Sequence, residues 1–272
     1  MAVAWTDITN GQVAAGAPVT TALMTALRDN PEGIAQRASG APKIFGVPYD
    51  VQEFTASGTW TKPSNAETGD RAIVYAVGGG GGGGSGNTNK SGAGGGGGMR
   101  YEFDDIDDLA STETITIGSG GSANNDGGDT TFSGTASTRV RGFGGNRGTA
   151  ASAAVAIAGG SGGAVGAPLL ISTSNPTSRE LQDSGGLNGG YGGGVSNTQV
   201  GQPGTESVYG GGGGGAEGIA GSRWPGGPSG FAGAGGDGEG TATGYFPGGG
   251  GGGNGGTGGA GRVTVYCYRR DT

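Results

Sequence analysis

The chain has 272 residues, of which 73 are glycine and 11 are proline, and only 32% are hydrophobic. This composition is typical of low-complexity sequence, and it predicts too few large apolar side chains for a conventional sandwich or α/β core. The net charge of −7 argues against nucleic acid as the main partner, because phosphate binding needs clustered Lys and Arg. The absence of His removes the commonest general base and metal ligand, and the single cysteine excludes an intrachain disulfide.

Residues 1–46 contain little glycine and predict one helix, in an N-terminal attachment segment. Apolar residues recur at helical spacing over 19–28, and Asp29-Asn30-Pro31 is expected to end the helix. A helix this short is unstable alone, so its apolar stripe should pack either on Trp5 and Ile8 or on another chain. The stripe consists of Val19, Leu23, Met24 and Leu27.

Residues 47–77 are rich in β-branched and aromatic residues and predict a small base of β-strands. A matching strand at 262–268 closes the chain. Because the strands at 71–77 and 262–268 bracket the glycine-rich part, we expect them to pair, with 262–272 completing the base. Cys267 alternates with apolar residues in the last strand, which predicts a small buried hydrophobe rather than a reactive thiol.

Residues 78–261 form the glycine-rich part, in which uninterrupted runs alternate with segments of ordinary composition. The long runs are Gly78–Gly84, Gly94–Gly98, Gly210–Gly215 and Gly248–Gly253. Collagen is excluded because there is no strict three-residue glycine period. A flexible linker explains any one run, but it explains poorly four runs of similar length between diverse segments.

The alternative is that the runs are polyglycine type II helices packed side by side. Such a helix has three residues per turn and no internal hydrogen bonds, so its N–H and C=O groups point sideways toward neighbouring helices. Close approach of the axes requires that no Cβ atom intervene, which only glycine satisfies. The predicted fold is therefore mainly β and irregular, with a polyglycine II bundle on a small β-strand base and loops between the rods.

Candidate catalytic and metal-binding residues are few. The acidic segments 104–108 and 124–129 lack the spacing of a calcium-binding loop, and they are expected to be solvated loops. Matches to dinucleotide-binding glycine motifs arise by chance in such runs and carry no information. We therefore expect no metal, no cofactor and no enzymatic activity.

Aromatic residues flanked by glycine are the candidate binding residues. They either cap the glycine bundle as a small core or lie exposed on rigid loops, where aromatic side chains offer large contact area at low entropic cost. Proline stiffens two of these loops, and the longer polar segments 99–117 and 164–184 are further candidates to reach a partner. The candidate residues are Arg223, Trp224, Tyr245, Phe246, Phe231, Tyr191 and Tyr209.

In this pattern of glycine runs separated by diverse loops, the chain resembles the tip adhesins of T-even-type phage long tail fibres. The opening Trp5-Thr6-Asp7-Ile8 and the segment 38–44 are similar to the N-terminal attachment segments of phage tail-fibre proteins. Residues 58–63, followed by a strand and a glycine run, resemble a glycine-rich module of phage tail tips. In the T-even-type adhesins, the distal domain is a polyglycine II sandwich and its loops carry receptor specificity.

The resemblance implies a virion receptor-binding protein at the host cell surface, mounted on a tail fibre or directly on the tail tip. Its ligand would be an outer-membrane protein or a surface glycan. Residues 1–46 would bind other tail proteins, and the helix that needs partners suggests a homo-oligomer, such as a trimer. Two alternatives remain open, an ice-binding protein and a passive structural component of a virion.

Overall fold

The computed structural model describes residues 6–14, 18–35, 47–85, 91–134, 138–149, 159–160, 190, 192–193, 204, 225–229, 232–237, 242–253 and 255–270. The chain divides into two units. One unit consists of Met1–Tyr49 together with Tyr268–Thr272, and the other consists of Asp50–Cys267.

The first unit contains helices α1 (Asn10–Val13) and α2 (Thr21–Ala35). The expected end at Asp29-Asn30-Pro31 is wrong, since α2 continues to Ala35. Asn ends helices when its side chain bonds to the nearby backbone. Here the Asn30 amide instead bonds to Thr6, whose N–H donates to Asn30 Oδ1 at 3.1 Å and whose carbonyl accepts from Nδ2 at 2.9 Å. No helix in the described part of the chain is long and apolar enough to cross a membrane.

The predicted apolar stripe of α2 is only partly buried. Leu23 is buried together with Ala26 and Asn30, which share its helix face. The other three members of the stripe are more than half exposed, and they are Val19, Met24 and Leu27. The buried face of α2 is thus rotated away from the predicted one, and it includes a polar residue because Asn30 has its own hydrogen-bond partner.

The second unit contains two four-stranded antiparallel sheets among its described residues. The strands are β1 (Asp50–Phe54), β2 (Gly58–Thr61), β3 (Arg71–Val77), β4 (Met99–Asp105), β5 (Thr112–Thr116), β6 (Thr130–Ser133), β7 (Thr138–Gly142) and β8 (Arg262–Tyr268). One sheet has the order β1-β8-β3-β4 and the other the order β2-β5-β6-β7. The predicted pairing of the strands at 71–77 and 262–268 is therefore confirmed.

A hydrophobic core lies where β3 and β4 of the first sheet contact β6 and β7 of the second. Trp60 and Phe132 are fully buried there and meet edge to face, with ring centroids 5.8 Å apart. The first sheet contributes buried small and β-branched side chains, namely Ala72, Val74, Ala76, Val263, Val265 and Cys267. The composition of the whole chain hides this core, because its apolar residues are concentrated in a few short strands.

The segment 99–117 is not a polar loop, as expected from the sequence, but forms β4, a 3-10 turn at Ile106–Asp108 and β5. Strand β4 pairs antiparallel with β3, with Tyr101 opposite Tyr75 and Phe103 opposite Ile73. Charged residues alternate with aromatic ones along β4, which lowers its mean hydropathy while preserving the period of two that a strand requires.

The run Gly78–Gly84 is buried, and its N–H groups bond to three different segments in rotation. Every third N–H donates to the same segment, and each set runs antiparallel to its acceptors. The pairs are Gly78, Gly81 and Gly84 to Gly98, Gly95 and Gly92; Gly79 and Gly82 to Gly128 and Asn125; and Gly80 and Gly83 to Gly259 and Gly256. The run therefore bonds laterally in three directions, unlike a strand, which bonds in two.

The carbonyl groups of the same run accept hydrogen bonds with the same three-residue period. Their donors come from three more segments, and they are Gly145 and Gly148, Gly121 and Asn124, and Gly251 and Gly255. Residues 92–98 repeat the arrangement, with N–H groups directed in turn to 143–149, 190–193 and 248–251. Six segments thus surround one glycine run, and backbone hydrogen bonds hold all of them to it.

Candidate functional site

The turn at 242–248 carries two exposed aromatic side chains, and Tyr245 is the most exposed aromatic residue among the described residues. Tyr245 is 66% exposed and Phe246 is 46% exposed, whereas Pro247 behind them is buried. The peptide bond between Phe246 and Pro247 is cis. Of the two environments that the sequence left open, a small capping core or an exposed loop, the structure gives these two residues the exposed one.

Glycine backbone holds this turn in place. The N–H of Gly233 donates to the Pro247 carbonyl at 2.7 Å, and the N–H of Gly249 donates to the Tyr245 carbonyl at 2.9 Å. Gly248 ends the turn with a φ of 73°, a conformation that strongly favours glycine. A Cβ atom on Gly233 would lie 1.9 Å from the Tyr245 carbonyl oxygen. The aromatic pair is therefore presented by a turn that is fixed through its main chain.

The other predicted binding residues lie outside the described residues. They are Arg223, Trp224, Phe231, Tyr191 and Tyr209, together with the segment 164–184. Tyr245 and Phe246 are thus the two predicted site residues that the structure places, and it brings them together at one turn.

Sequence reasoning missed a second aromatic surface, on the face of the first sheet that points away from the core. Four rings contact one another in sequence across β8, β3 and β4. The Tyr266 and Tyr75 centroids lie 5.8 Å apart, those of Tyr75 and Tyr101 5.7 Å, and those of Tyr101 and Phe103 5.6 Å. Tyr101 and Phe103, at the β4 end, are the most exposed of the four. We call these four residues the aromatic face.

The alternation of Tyr101 and Phe103 with charged residues was the available sequence signal. It was overlooked because the polarity of the surrounding segment favoured a loop. The same alternation in β3 places Ile73 on the same side of the sheet as Tyr75, and it places the buried residues Val74 and Ala76 on the opposite side.

The two acidic segments are bonded within the protein rather than simply solvated. Asp107 accepts from the Gly69 N–H at 2.8 Å and Asp126 from the Arg147 N–H at 2.8 Å. Asp129 accepts from the Gly144 N–H at 2.8 Å and pairs with the guanidinium of Arg141. The described residues contain no group of three or more His, Cys, Asp or Glu side chains that could hold a metal ion.

A buried polar cluster joins the two sheets through Arg139 of β7. Its guanidinium lies 3.5 Å from Glu113 of β5 and 3.6 Å from Asp104 of β4. The Glu113 side chain is fully buried, and its Oε1 accepts from the Ala110 N–H at 2.9 Å. Its Oε2 and Asp104 Oδ2 are buried with no hydrogen-bond partner among the described residues. Arg139 is therefore the counter-charge for both carboxylates.

A comparison with known protein families shows which family the chain belongs to. The profile of the glycine-rich domain matches residues 53–268, which is most of the sequence. The chain belongs to this glycine-rich domain family. No curated protein matches the chain significantly.

The glycine-rich domain as matched coincides closely with the second unit, Asp50–Cys267. It contains both sheets, the hydrogen-bonded glycine runs, the turn with Tyr245 and the aromatic face. The helices of the first unit lie outside the match.

Ionisation of Asp104 should destabilise the glycine-rich domain. Burial raises the pKa of this carboxyl above its usual 3.8, although the Arg139 charge opposes the shift. The stability that Asp104 contributes is therefore fully present below its unfolded-state pKa and is lost as the pH rises through the higher folded-state pKa. We expect Asp104→Asn to gain stability relative to the parent between about pH 4 and pH 7, as measured by urea unfolding. A relative loss over this interval would show that the Arg139 pairing outweighs desolvation.

The thiol of Cys267 in the glycine-rich domain is buried, as predicted, and burial together with the Asp50 and Asp70 carboxylates raises its pKa to about 12. Alkylation requires the thiolate, so the native protein should react with iodoacetamide at least about a hundredfold more slowly than the protein in guanidinium chloride. Mass spectrometry over a time course measures both rates. Equal rates would contradict the buried position of β8.

Proposed function

We propose that this protein is a phage virion receptor-binding protein that acts at a tail fibre or tail tip and recognises a receptor on the host cell surface. The observation that carries the proposal is the pair of exposed aromatic side chains, Tyr245 and Phe246, on a turn fixed by glycine backbone bonds. Solvent-exposed aromatic residues on a rigid framework are typical of recognition surfaces, since little entropy is lost when they bind. The resemblance to phage tail adhesins supports the same function.

The framework of this surface is, in our proposal, a bundle of polyglycine II helices. The three-residue period of the hydrogen-bond partners supports it, because a helix with three residues per turn directs every third N–H to the same side. The six surrounding segments also support it, since donors and acceptors leave such a helix in all lateral directions. Lateral bonding without side chains explains how the glycine runs are ordered despite the entropic cost of fixing glycine.

Residues 1–46 would attach the protein to other tail proteins, and the first unit would associate with further copies of the chain, for example as a trimer. The exposed residues Val19, Met24 and Leu27 support this division, because a second chain would cover them. The ligand would be an outer-membrane protein or a surface glycan, bound without catalysis.

Truncating either residue of the aromatic pair should weaken binding to cells while leaving the fold intact. The fluorescently labelled full chain is first screened against a panel of bacterial strains, and a strain that adsorbs it is then used for titration. We expect Tyr245→Ala and Phe246→Ala each to weaken adsorption by about tenfold or more, with an unchanged melting temperature. Val51→Ala, which removes an equally exposed apolar side chain from β1, is the matched control and should bind normally.

Three outcomes would overturn the proposal. Full adsorption by both aromatic variants would remove Tyr245 and Phe246 from the receptor site. A wild-type chain that adsorbs to no strain, yet is incorporated into virions, would favour the passive structural component. Thermal hysteresis in the wild-type protein would favour the ice-binding alternative.

A further inference from the structure

Strand β4 forms one edge of the first sheet in the described part of the chain. An edge strand presents a row of N–H and C=O groups that can pair with another strand, and proteins normally protect such edges. Arg100, Tyr101 and Phe103 on this edge are exposed. Glu102 and Arg100 have no ion-pair partner among the described residues, although neighbouring charges on the same sheets are paired.

We propose that β4 is a self-association edge, which pairs antiparallel with β4 of a second copy about a two-fold axis at Tyr101. This register sets Tyr101 opposite its own counterpart. It sets Arg100 opposite Glu102 of the second copy, twice by symmetry, and Met99 opposite Phe103. The ladder spans five residues, which is a common length for a strand.

Charge complementarity favours this register, and it favours a second copy of the chain as the strand that pairs with β4. Two symmetric Arg–Glu pairs neutralise charges that the single chain leaves unpaired, and opposite charges directly across a strand pair are stabilising. Shifting the register by two residues sets Glu102 opposite itself, where like charges repel. That shift also sets Arg100 opposite Asp104, but the Asp104 carboxylate already pairs with Arg139. The remaining charges that border the aromatic face are already compensated, since Arg71 pairs with Asp105 and Arg262 with Glu53.

The same pairing extends the aromatic face. Side chains on one face of a sheet continue across an antiparallel pair, so the exposed rings of Tyr101 and Phe103 would adjoin those of the second copy. The result is one eight-stranded sheet with a continuous row of aromatic rings at its centre. This association is separate from that proposed for the first unit, because it uses only β4.

Cross-linking tests the register. Tyr101→Cys in the full chain brings two thiols opposite each other on the axis, so mild oxidation should give a disulfide-linked dimer on a non-reducing gel. Phe103→Cys is the matched control, and it should remain largely unlinked because its opposite residue is Met99. Cys267 does not interfere, since it is buried. Equal cross-linking of both variants, or of neither, would overturn the register.

Charge exchange tests the pairing itself, and sedimentation equilibrium measures the β4-dependent association. Arg100→Glu and Glu102→Arg should each weaken it by about tenfold, because each replaces two attractive pairs with two repulsive ones. The double variant carrying both changes should restore the parental affinity. Unchanged melting temperatures show that the variants fold. A parent without this association at about 100 µM, or single variants that associate like the parent, would overturn the proposal.

Discussion

Replacing Gly81 with alanine is expected to lower the free energy of unfolding by about 3 kcal/mol or more. The added methyl group would lie 2.1 Å from the carbonyl oxygen of Asn146 and 2.8 Å from that of Gly145. Both are backbone atoms, so no side chain can rotate to make room. The segments around Gly81 would have to separate, and the hydrogen bonds that join them would lengthen together. Chemical unfolding of the purified variant measures the loss.

Gly58→Ala is the matched control, because it adds the same methyl group where nothing lies within 4 Å. Gly58 begins β2, and alanine there should change the stability by no more than about 0.5–1 kcal/mol. If Gly81→Ala unfolds at the same denaturant concentration as Gly58→Ala, the glycine runs are not closely packed.

Replacing Arg139 with methionine is expected to lower the free energy of unfolding by about 3 kcal/mol. The fully buried Glu113 carboxylate would lose its nearest cation, and Asp104 would lose the same partner. Arg139 also donates to the Asp108 carbonyl, so the 3-10 turn would lose one of its attachments to β7. Methionine retains most of the apolar volume of arginine, which isolates the effect of the charge.

A second substitution, Glu113→Gln, should restore part of the stability that Arg139→Met loses. In the Arg139→Met background, it removes the buried negative charge while preserving an acceptor for the Ala110 N–H. The double variant should therefore recover at least about half of the stability that the single variant loses. Equal stability of the single and double variants would show that the cost lies in packing rather than in the unpaired charge.

The sequence predicted those elements whose apolar pattern is strong and local. The strands at 71–77 and 262–268, their pairing and the burial of Cys267 follow from alternation of apolar residues, and the structure confirms them. The sequence left two environments open for Tyr245 and Phe246, a small capping core or an exposed loop. The flanking glycine and proline residues indicate a turn, but they do not indicate whether other residues cover the aromatic rings.

The wrong or missing predictions concern residues whose tertiary contacts override the local sequence pattern. Helix α2 continues beyond Asn30 because Thr6, distant in sequence, satisfies the Asn30 side chain. Strand β4 and the aromatic face were missed because charges alternate with rings along an edge strand. The cluster around Arg139 was also unpredictable, since Asp104, Glu113 and Arg139 come from three strands whose packing no local pattern specifies.

Amide hydrogen exchange at Gly80–Gly83 tests most directly whether laterally bonded glycine backbone forms the interior of this protein. All four N–H groups donate to other segments at 2.7–2.9 Å and are buried. If the account is correct, these amides exchange only through global unfolding, with protection equal to that of the β3 amides of the hydrophobic core. Exchange at the rate of an unstructured chain, while β3 remains protected, would contradict it.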